Sequence, residues 1–350
     1  MRQVMKIVIA ATTAALTLTA CASGTTTPAA TTATSAASSA APAIKVGMAY
    51  DVGGRGDQSF NDSAAAGLDK AKAEFGVEAQ ESAATNGEAE SAREERLNQL
   101  IDAGYTNIVA VGFAYATSVQ KVAGENPDVK FAIVDDQSIT ADNVMNLTFA
   151  ANQGSFLVGA AAALTTKTKN VGFVGGVETD LIKSFEAGFD AGVKAVDPSI
   201  TIQSKYLTQP PDFSGFSSVD KGKAAAEGMY QKGADVVYHA AGGSGGGVFT
   251  AAKAAGKWAI GVDSDQALTA AEDVRDVVLT SMIKRVDTGV YYFIKSIHDG
   301  TFAGGTQVFD LKTDGVGYST TGDHLSSDTI AKLEEYKKQI IDGTITVPDK

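Results

Sequence analysis

The chain has 350 residues, 44 % hydrophobic, 20 % charged and 7 % aromatic, which is enough for two ordinary domains and too apolar for disorder throughout. Its formal charge of −12 becomes −14 once residues 1–20, with Arg2 and Lys6, are set aside (27 basic against 41 acidic), so the body lacks the basic footprint that nucleic acid requires. One cysteine and three histidines (His239, His298, His324) exclude an internal disulfide and a Cys/His zinc constellation, and they argue against haem or iron–sulfur chemistry.

At the N-terminus, Arg2 and Lys6 precede an uncharged stretch of apolar and small residues to position 20. It is too short for a comfortable membrane span and has the make-up of a signal peptide, 1–20. It ends in Leu18-Thr19-Ala20-Cys21, which resembles the bacterial lipobox, whose cysteine is lipidated and becomes the mature N-terminus. Residues 22–43 contain only Ala, Ser, Thr, Gly and Pro. Such a segment buries nothing and reads as a flexible tether, giving 21–43 as lipidated cysteine plus leash. A diacylglycerol and an amide-linked chain, at about 0.8 kcal/mol per buried CH₂, suffice for stable anchoring. The expectation is a soluble body held at the extracytoplasmic face of a cell membrane.

From Lys45 strands and helices alternate. Ile44–Asp51, Asn107–Phe113 and Lys130–Asp136 are short apolar runs suited to strands covered on both faces, and Asn61–Gly76 and Glu88–Gly104 carry helical patterns. The pattern restarts with the helix Asn152–Lys167. Strands Asn170–Gly176, Thr201–Leu207, Ala234–Ala241 and Trp258–Asp265 follow, with helices Thr179–Val196, Val219–Gly233 and Gly247–Gly256 between them. A third section holds a strand Val277–Ile283, a helix Arg285–His298, a strand Gly305–Leu311 and a terminal helix Ser327–Gly343. Two α/β sets of similar size and a tail with one helix for each predict two lobes and a chain that crosses between them more than once.

Ligands of open α/β sheets bind beyond the carboxyl ends of the strands. There the sequence places Asp51 to Asn61, Asp135 and Asp136, Gly175-Gly176, a loop with Phe213 and Phe216, the run Gly242–Gly247, and Asp263 to Gln266. Carboxylates suit hydroxyl groups and aromatic rings suit a flat base. Gly242-Gly243-Ser244-Gly245-Gly246 also satisfies G-x-S-x-G between a strand and a helix. His298 and His324 lie in a helix and a polar loop away from this rim, so catalysis by Ser244 is not expected. The glycine run lacks the G-x-G-x-x-G spacing of a dinucleotide site.

Five segments resemble the basic membrane protein family, the substrate-binding lipoproteins of nucleoside ABC importers. They are DVGGRGDQSFN (51–61), VGFVGGVETDLIKSFEAGFDAGVKAVDP (171–198), GADVVYHAAGGSGGG (233–247), AIGVDSDQ (259–266) and LTSMIKRVDTGVYYFIK (279–295). The resemblance implies the type I periplasmic-binding-protein fold, two doubly wound α/β lobes with a ligand cleft between them and three crossings. It implies a purine nucleoside ligand, an ABC transporter permease as partner, no enzyme activity, no cofactor and no metal. Phe60 is then the ring stacked on the base. Phe216 completes the sandwich from the far lobe, with Phe185 and Phe213 as alternatives because residues 209–216 (QPPDFSGF) depart from the family's simpler loop. Asp136 reads base nitrogens, Asp263 and Lys284 hold ribose hydroxyls, and Asn61 and the amides of Gly242 and Gly243 are further contacts. The lobes are expected at 44–150 plus about 277–300, and at 151–276 plus about 301–350, in a monomeric protein. Another ligand of the same fold, such as a sugar or a flavin-like ring, or a sensor role, is the alternative reading.

Overall fold

The computed structural model describes residues 43–350. The expected signal peptide, Cys21 and the tether up to Pro42 lie outside the described residues. The first set of elements is β1 (Lys45–Tyr50), α1 (Phe60–Phe75), β2 (Glu78–Ala83), α2 (Glu90–Asp102), β3 (Asn107–Ala110), α3 (Ala116–Glu125), β4 (Lys130–Val134) and β5 (Val144–Phe149). The second begins with α4 (Ala151–Thr165), β6 (Asn170–Val177), α5 (Asp180–Val196), β7 (Thr201–Thr208), α6 (Val219–Gln231) and β8 (Val236–Ala240). It continues with α7 (Gly245–Ala255), β9 (Trp258–Asp263), the short α8 (Gln266–Thr269) and β10 (Val278–Lys284). The tail supplies α9 (Val286–His298), β11 (Gly305–Phe309), β12 (Val316–Tyr318) and α10 (Ser327–Ile341).

These elements build two six-stranded sheets, ordered β11-β5-β4-β3-β1-β2 and β12-β10-β9-β8-β6-β7. All pairs are parallel except β10 with β12. The central strands NIVA and VVYHA are buried at every position, as parallel strands covered by helices on both faces must be. Two apolar clusters sandwich each sheet, centred on Met48, Leu68 and Phe293 or on Leu97, Phe131 and Val119 in the first lobe. The fold is the type I periplasmic-binding-protein fold expected from the sequence.

The chain crosses between sheets three times: between β5 and α4, at Lys284–Arg285 between β10 and α9, and between β11 and β12. The expected lobe boundaries need correction at two of these places. The sequence expectation places β10 in the first lobe with 277–300, but it pairs in parallel with β9 in the second sheet. The same expectation places β11 in the second lobe with 301–350, but it pairs with β5 in the first. A short apolar run announces a strand and carries no local mark of its partner, which is chosen by non-local pairing. α9 does pack on α1, so closely that a Cβ on Gly67 would lie 2.3 Å from the carbonyl oxygen of Asp287. Among the described residues no helix is long and apolar enough to cross a membrane.

Candidate ligand-binding site

The carboxyl ends of the two sheets face one cavity, which holds about 540 Å³ of empty space out to its opening. The first lobe lines it with Asp51, Asp57, Phe60, Asn61, Phe113 and Asp135. The second contributes Leu181, Ile182 and Phe185 from the start of α5, and Phe216, Gly242, Asp263 and Lys284 from strand-end turns.

The loop between β1 and α1 is held by its own carboxylates. Asp57 accepts the backbone N–H groups of Ser59 (3.0 Å), Asn61 (2.8 Å) and Asp62 (3.1 Å) and the side-chain amide of Asn61 (3.1 Å). Asp62 accepts from Gly56 N–H (2.7 Å) and Gln58 N–H (2.9 Å). These bonds fix Phe60 as the first residue of α1 with its ring on the cavity wall. The Asn61 carbonyl accepts the N–H of Asp51 (3.1 Å), so that amide orients the end of β1 as well. Gly112 approaches the same carboxylate with φ +109°, and a Cβ there would stand 2.6 Å from Asp51 Oδ2. No other residue fits that backbone and that gap.

Asp135 and Asp136 end up on different tasks. Asp135 leaves β4 with φ +66° and turns into the cavity, where Lys284 donates to its carboxylate. Asp136 accepts from the N–H (2.8 Å) and hydroxyl (2.7 Å) of Ser138 and does not line the cavity. The two side chains serve different partners, but both lie past the end of β4, and the left-handed turn at Asp135 makes it, not the Asp136 expected from the sequence, the one that faces the cleft. Lys284 is the last residue of β10 and is buried. Its ammonium lies 4.7 Å from the ring centre of Phe60, 5.3 Å from Phe149 and 5.6 Å from Phe185, so an ion pair and an aromatic cage together compensate its desolvation.

Four carboxylates (Asp51, Asp57, Asp135, Asp263) and a single cation, Lys284, share the lining. Burial pushes Asp51 up to about 6, against the pull of the Val52 amide and the Arg93 guanidinium. Burial likewise raises Asp263 to about 6, opposed by Lys284 and by the Ser59 hydroxyl. Burial also raises Asp57 above the usual carboxylate range. The chemistry on offer is several strong hydrogen-bond acceptors between apolar and aromatic walls, a setting for an uncharged ligand rich in donors. A ligand phosphate would meet net negative charge.

The lobes touch across this cavity. Ser59 Oγ donates to Asp263 Oδ2 (2.8 Å) and lies 3.1 Å from Val262 O, and Ser264 Oγ donates to Ser59 O (2.9 Å). Gln266 Nε2 and Thr269 Oγ1 both donate to Gln58 O (3.0 Å each). Gln58 and Asp263 also have positive φ, at +58° and +64°. Left-handed backbone thus occurs on both sides of the inter-lobe contact.

Of the residues singled out in the sequence, Phe60, Asn61, Phe216, Gly242, Asp263 and Lys284 come together in the lining, while Asp136 and Gly243 stay out of it. Phe185 lines it too, whereas Phe213 sits outside against Phe113. Ser244 is buried, donates to Gly215 O (2.7 Å) and accepts from Ser218 N–H (2.8 Å), a structural role. His298 stacks on Phe75 and His324 lies against Trp258, so neither is placed to serve Ser244. Asp51 and Asp57 lie in the expected rim segment 51–61 without a contact assigned to them, and Phe113, Leu181 and Ile182 join the lining with no such expectation. Asp51 carries a legible signal, a carboxylate ending the first strand, while the hydrophobic lining residues are indistinguishable in sequence from core.

Residues 44–350 match the profile of the family Bmp, described as ABC transporter substrate-binding protein PnrA-like. The chain is 43 % identical over 324 residues to a CD4+ T-cell-stimulating antigen of Listeria monocytogenes, covering 87 % of this chain and 88 % of that one. It is 37 % identical over 323 residues to an ABC transporter nucleoside-binding protein BmpA of Lactococcus lactis subsp. cremoris, covering 88 % and 90 %. A solved solute-binding protein of an ABC transporter system from Aeropyrum pernix superposes with a TM-score of 0.75 at 28 % identity, covering 88 % of this chain and 94 % of that one.

Proposed function

The chain belongs to the Bmp family of PnrA-like ABC transporter substrate-binding proteins, and from that premise we propose that it captures a purine nucleoside between its lobes and delivers it to an ABC importer. The observation that carries the ligand assignment is the meeting of aromatic rings from both lobes with buried carboxylates in one cavity between the lobes. Phe60 from the first lobe and Phe216 or Phe185 from the second flank a flat base. Asp263 and Lys284 accept from and donate to the vicinal ribose hydroxyls. Asp51, Asn61 and Asp135 face the base edge. The negative lining turns away 5′-phosphorylated nucleotides. A bare sugar is the poorer fit, since the single tryptophan, Trp258, packs on His324 and does not line the cavity. The relative named as a nucleoside-binding protein supports the same reading.

The protein is further proposed to work as a monomer anchored through a lipid on Cys21 at the outer face of the cell membrane. Two measurements test the proposal. Mass spectrometry of material extracted from the purified protein is expected to yield a purine nucleoside, and a sugar or a flavin in its place would refute the ligand assignment. A Cys21→Ala variant is expected to leave the membrane fraction, and its retention after a salt wash would refute the anchor.

A further inference from the structure

The turn Phe213–Phe216 that sets Phe216 on the cavity wall points Phe213 the other way, toward the first lobe. The turn is fastened to the second lobe. Asp212 accepts the N–H of Ser214 (2.9 Å), Thr208 Oγ1 donates to Asp212 O (2.6 Å) and Ser244 Oγ donates to Gly215 O (2.7 Å). Gly215 lies so close to β6 that a Cβ there would stand 2.0 Å from Gly176 O. Phe213 therefore moves with the lobe that carries it.

On the far side its ring meets Phe113 edge to face, with centroids 5.9 Å apart and planes at 67°. The guanidinium of Arg93 lies 5.8 Å from the centre of the same ring. Arg93 has a side chain only 6 % exposed, its contacts to Glu88 and Glu90 are long (3.6 and 3.4 Å), and its Nε has no hydrogen-bond partner. The Phe213 ring thus joins two residues of the first lobe, and one of them, Phe113, forms part of the cavity wall.

We propose that Phe213 is the positioning residue that keeps the cleft shut: it docks on Phe113 and Arg93 only when the lobes are together, and so sets how long a bound ligand stays. A contact made only in the closed state leaves encounter with the open cleft untouched and slows reopening, so its loss is read in the dissociation rate. An edge-to-face pair together with a cation–π contact corresponds to a roughly ten-fold faster dissociation when the ring is removed. Because Phe213 lies outside the cavity, the factor is the same for every ligand. The inference uses the nucleoside reading only for its probes.

The test is stopped-flow association and displacement of inosine, adenosine and guanosine on the full-length protein and its Phe213→Ala and Phe213→Leu variants. Phe213→Ala is expected to dissociate each nucleoside about ten times faster with association changed less than about two-fold, and Phe213→Leu to fall between it and the native chain. Native dissociation rates in Phe213→Ala, a loss confined to association, or a factor that differs among the three nucleosides would overturn the proposal. A native protein that binds none of the three speaks against the nucleoside reading alone. The closing role is then read without ligand from hydrogen exchange of the Phe113–Tyr115 turn in the opposite lobe. Faster exchange in Phe213→Ala supports it and unchanged exchange refutes it.

Discussion

Asp263 ends β9 with φ +64° and a carboxylate that burial lifts to about 6 from an ordinary 3.8. Between those two values the folded chain holds a proton that the unfolded chain has lost, so this group lowers stability as pH rises through the window and exerts its full penalty above about 6. Asp263→Asn keeps an acceptor for Ser59 and tolerates the left-handed backbone. In ligand-free protein it is expected to match the native chain near pH 4 and to exceed it at pH 7.5 by on the order of 1–3 kcal/mol, measured by urea unfolding at both pH values. A stability difference independent of pH would show that the ionised carboxylate is not destabilised by burial. Substitution of the same residue tests the proposed division between ribose and base recognition. Asp263→Ala is expected to weaken a ribonucleoside about ten-fold to a hundred-fold, and a 2′-deoxynucleoside less, because one acceptor is already idle there. Equal losses in calorimetry would remove the ribose role. At this scale the rule that ligands sit beyond strand ends directed attention to Phe60 and Asp263, whereas Lys284 was expected only through the family resemblance. The rule could not choose between Asp135 and Asp136, because adjacent aspartates differ only in which way a turn sends them. The positive φ of Asp135 that decides it is open to either aspartate, so residue type does not mark which of the two adopts it.

Among the elements, α4 and α5 pack more tightly than their apolar pattern implies. Gly159 lies against Phe189 O, Gly188 against Asn152 O, and a Cβ on Gly192 would stand 2.0 Å from Phe156 O. Glycine in a helix is normally a weakness of about 1 kcal/mol relative to alanine, and on α6 a Cβ at Gly228 would meet nothing within 4 Å. The pair gives opposite predictions for one substitution. Gly228→Ala is expected to stabilise by about 0.5–1 kcal/mol. Gly192→Ala is expected to destabilise by roughly 1–3 kcal/mol, since the helices must separate. Thermal unfolding compares them, and a stabilising Gly192→Ala would mean that the helix contact yields freely. The small residues of α5 were visible in FEAGFDAG, but their partner helix was not. The strands that escaped the sequence reading have physical reasons too. β2 (EAQESA) is a polar edge strand, the usual protection of an open sheet edge. β5 (VMNLTF) is broken by Asn146, whose side chain caps Ile139 O, and β12 has only three residues.

For the molecule as a whole, the two repeated α/β sets made the two-lobed plan readable, because each set carries its own run of buried strands. The tail did not reveal its path, since β10 and β11 find their sheets only through partners far away in the chain. That path matters for function: three strands of chain join the lobes, and the contacts of Ser59 with Asp263 and of Asp135 with Lys284 link them across the cavity. A ligand shared by both lobes stabilises the closed form through hinge closure and stabilises the fold by mass action, about 2.7 kcal/mol at 100 times Kd. The most direct test of the central claim is isothermal titration of the purified, ligand-stripped protein with inosine, adenosine, guanosine, a pyrimidine nucleoside, ribose and inosine 5′-monophosphate. Saturable one-site binding of at least one purine nucleoside is expected, with ribose and the monophosphate bound at least about a hundred-fold more weakly, the latter repelled by the four lining carboxylates. Absence of binding by every purine nucleoside, or binding of the monophosphate as tight as that of the nucleoside, would contradict that claim.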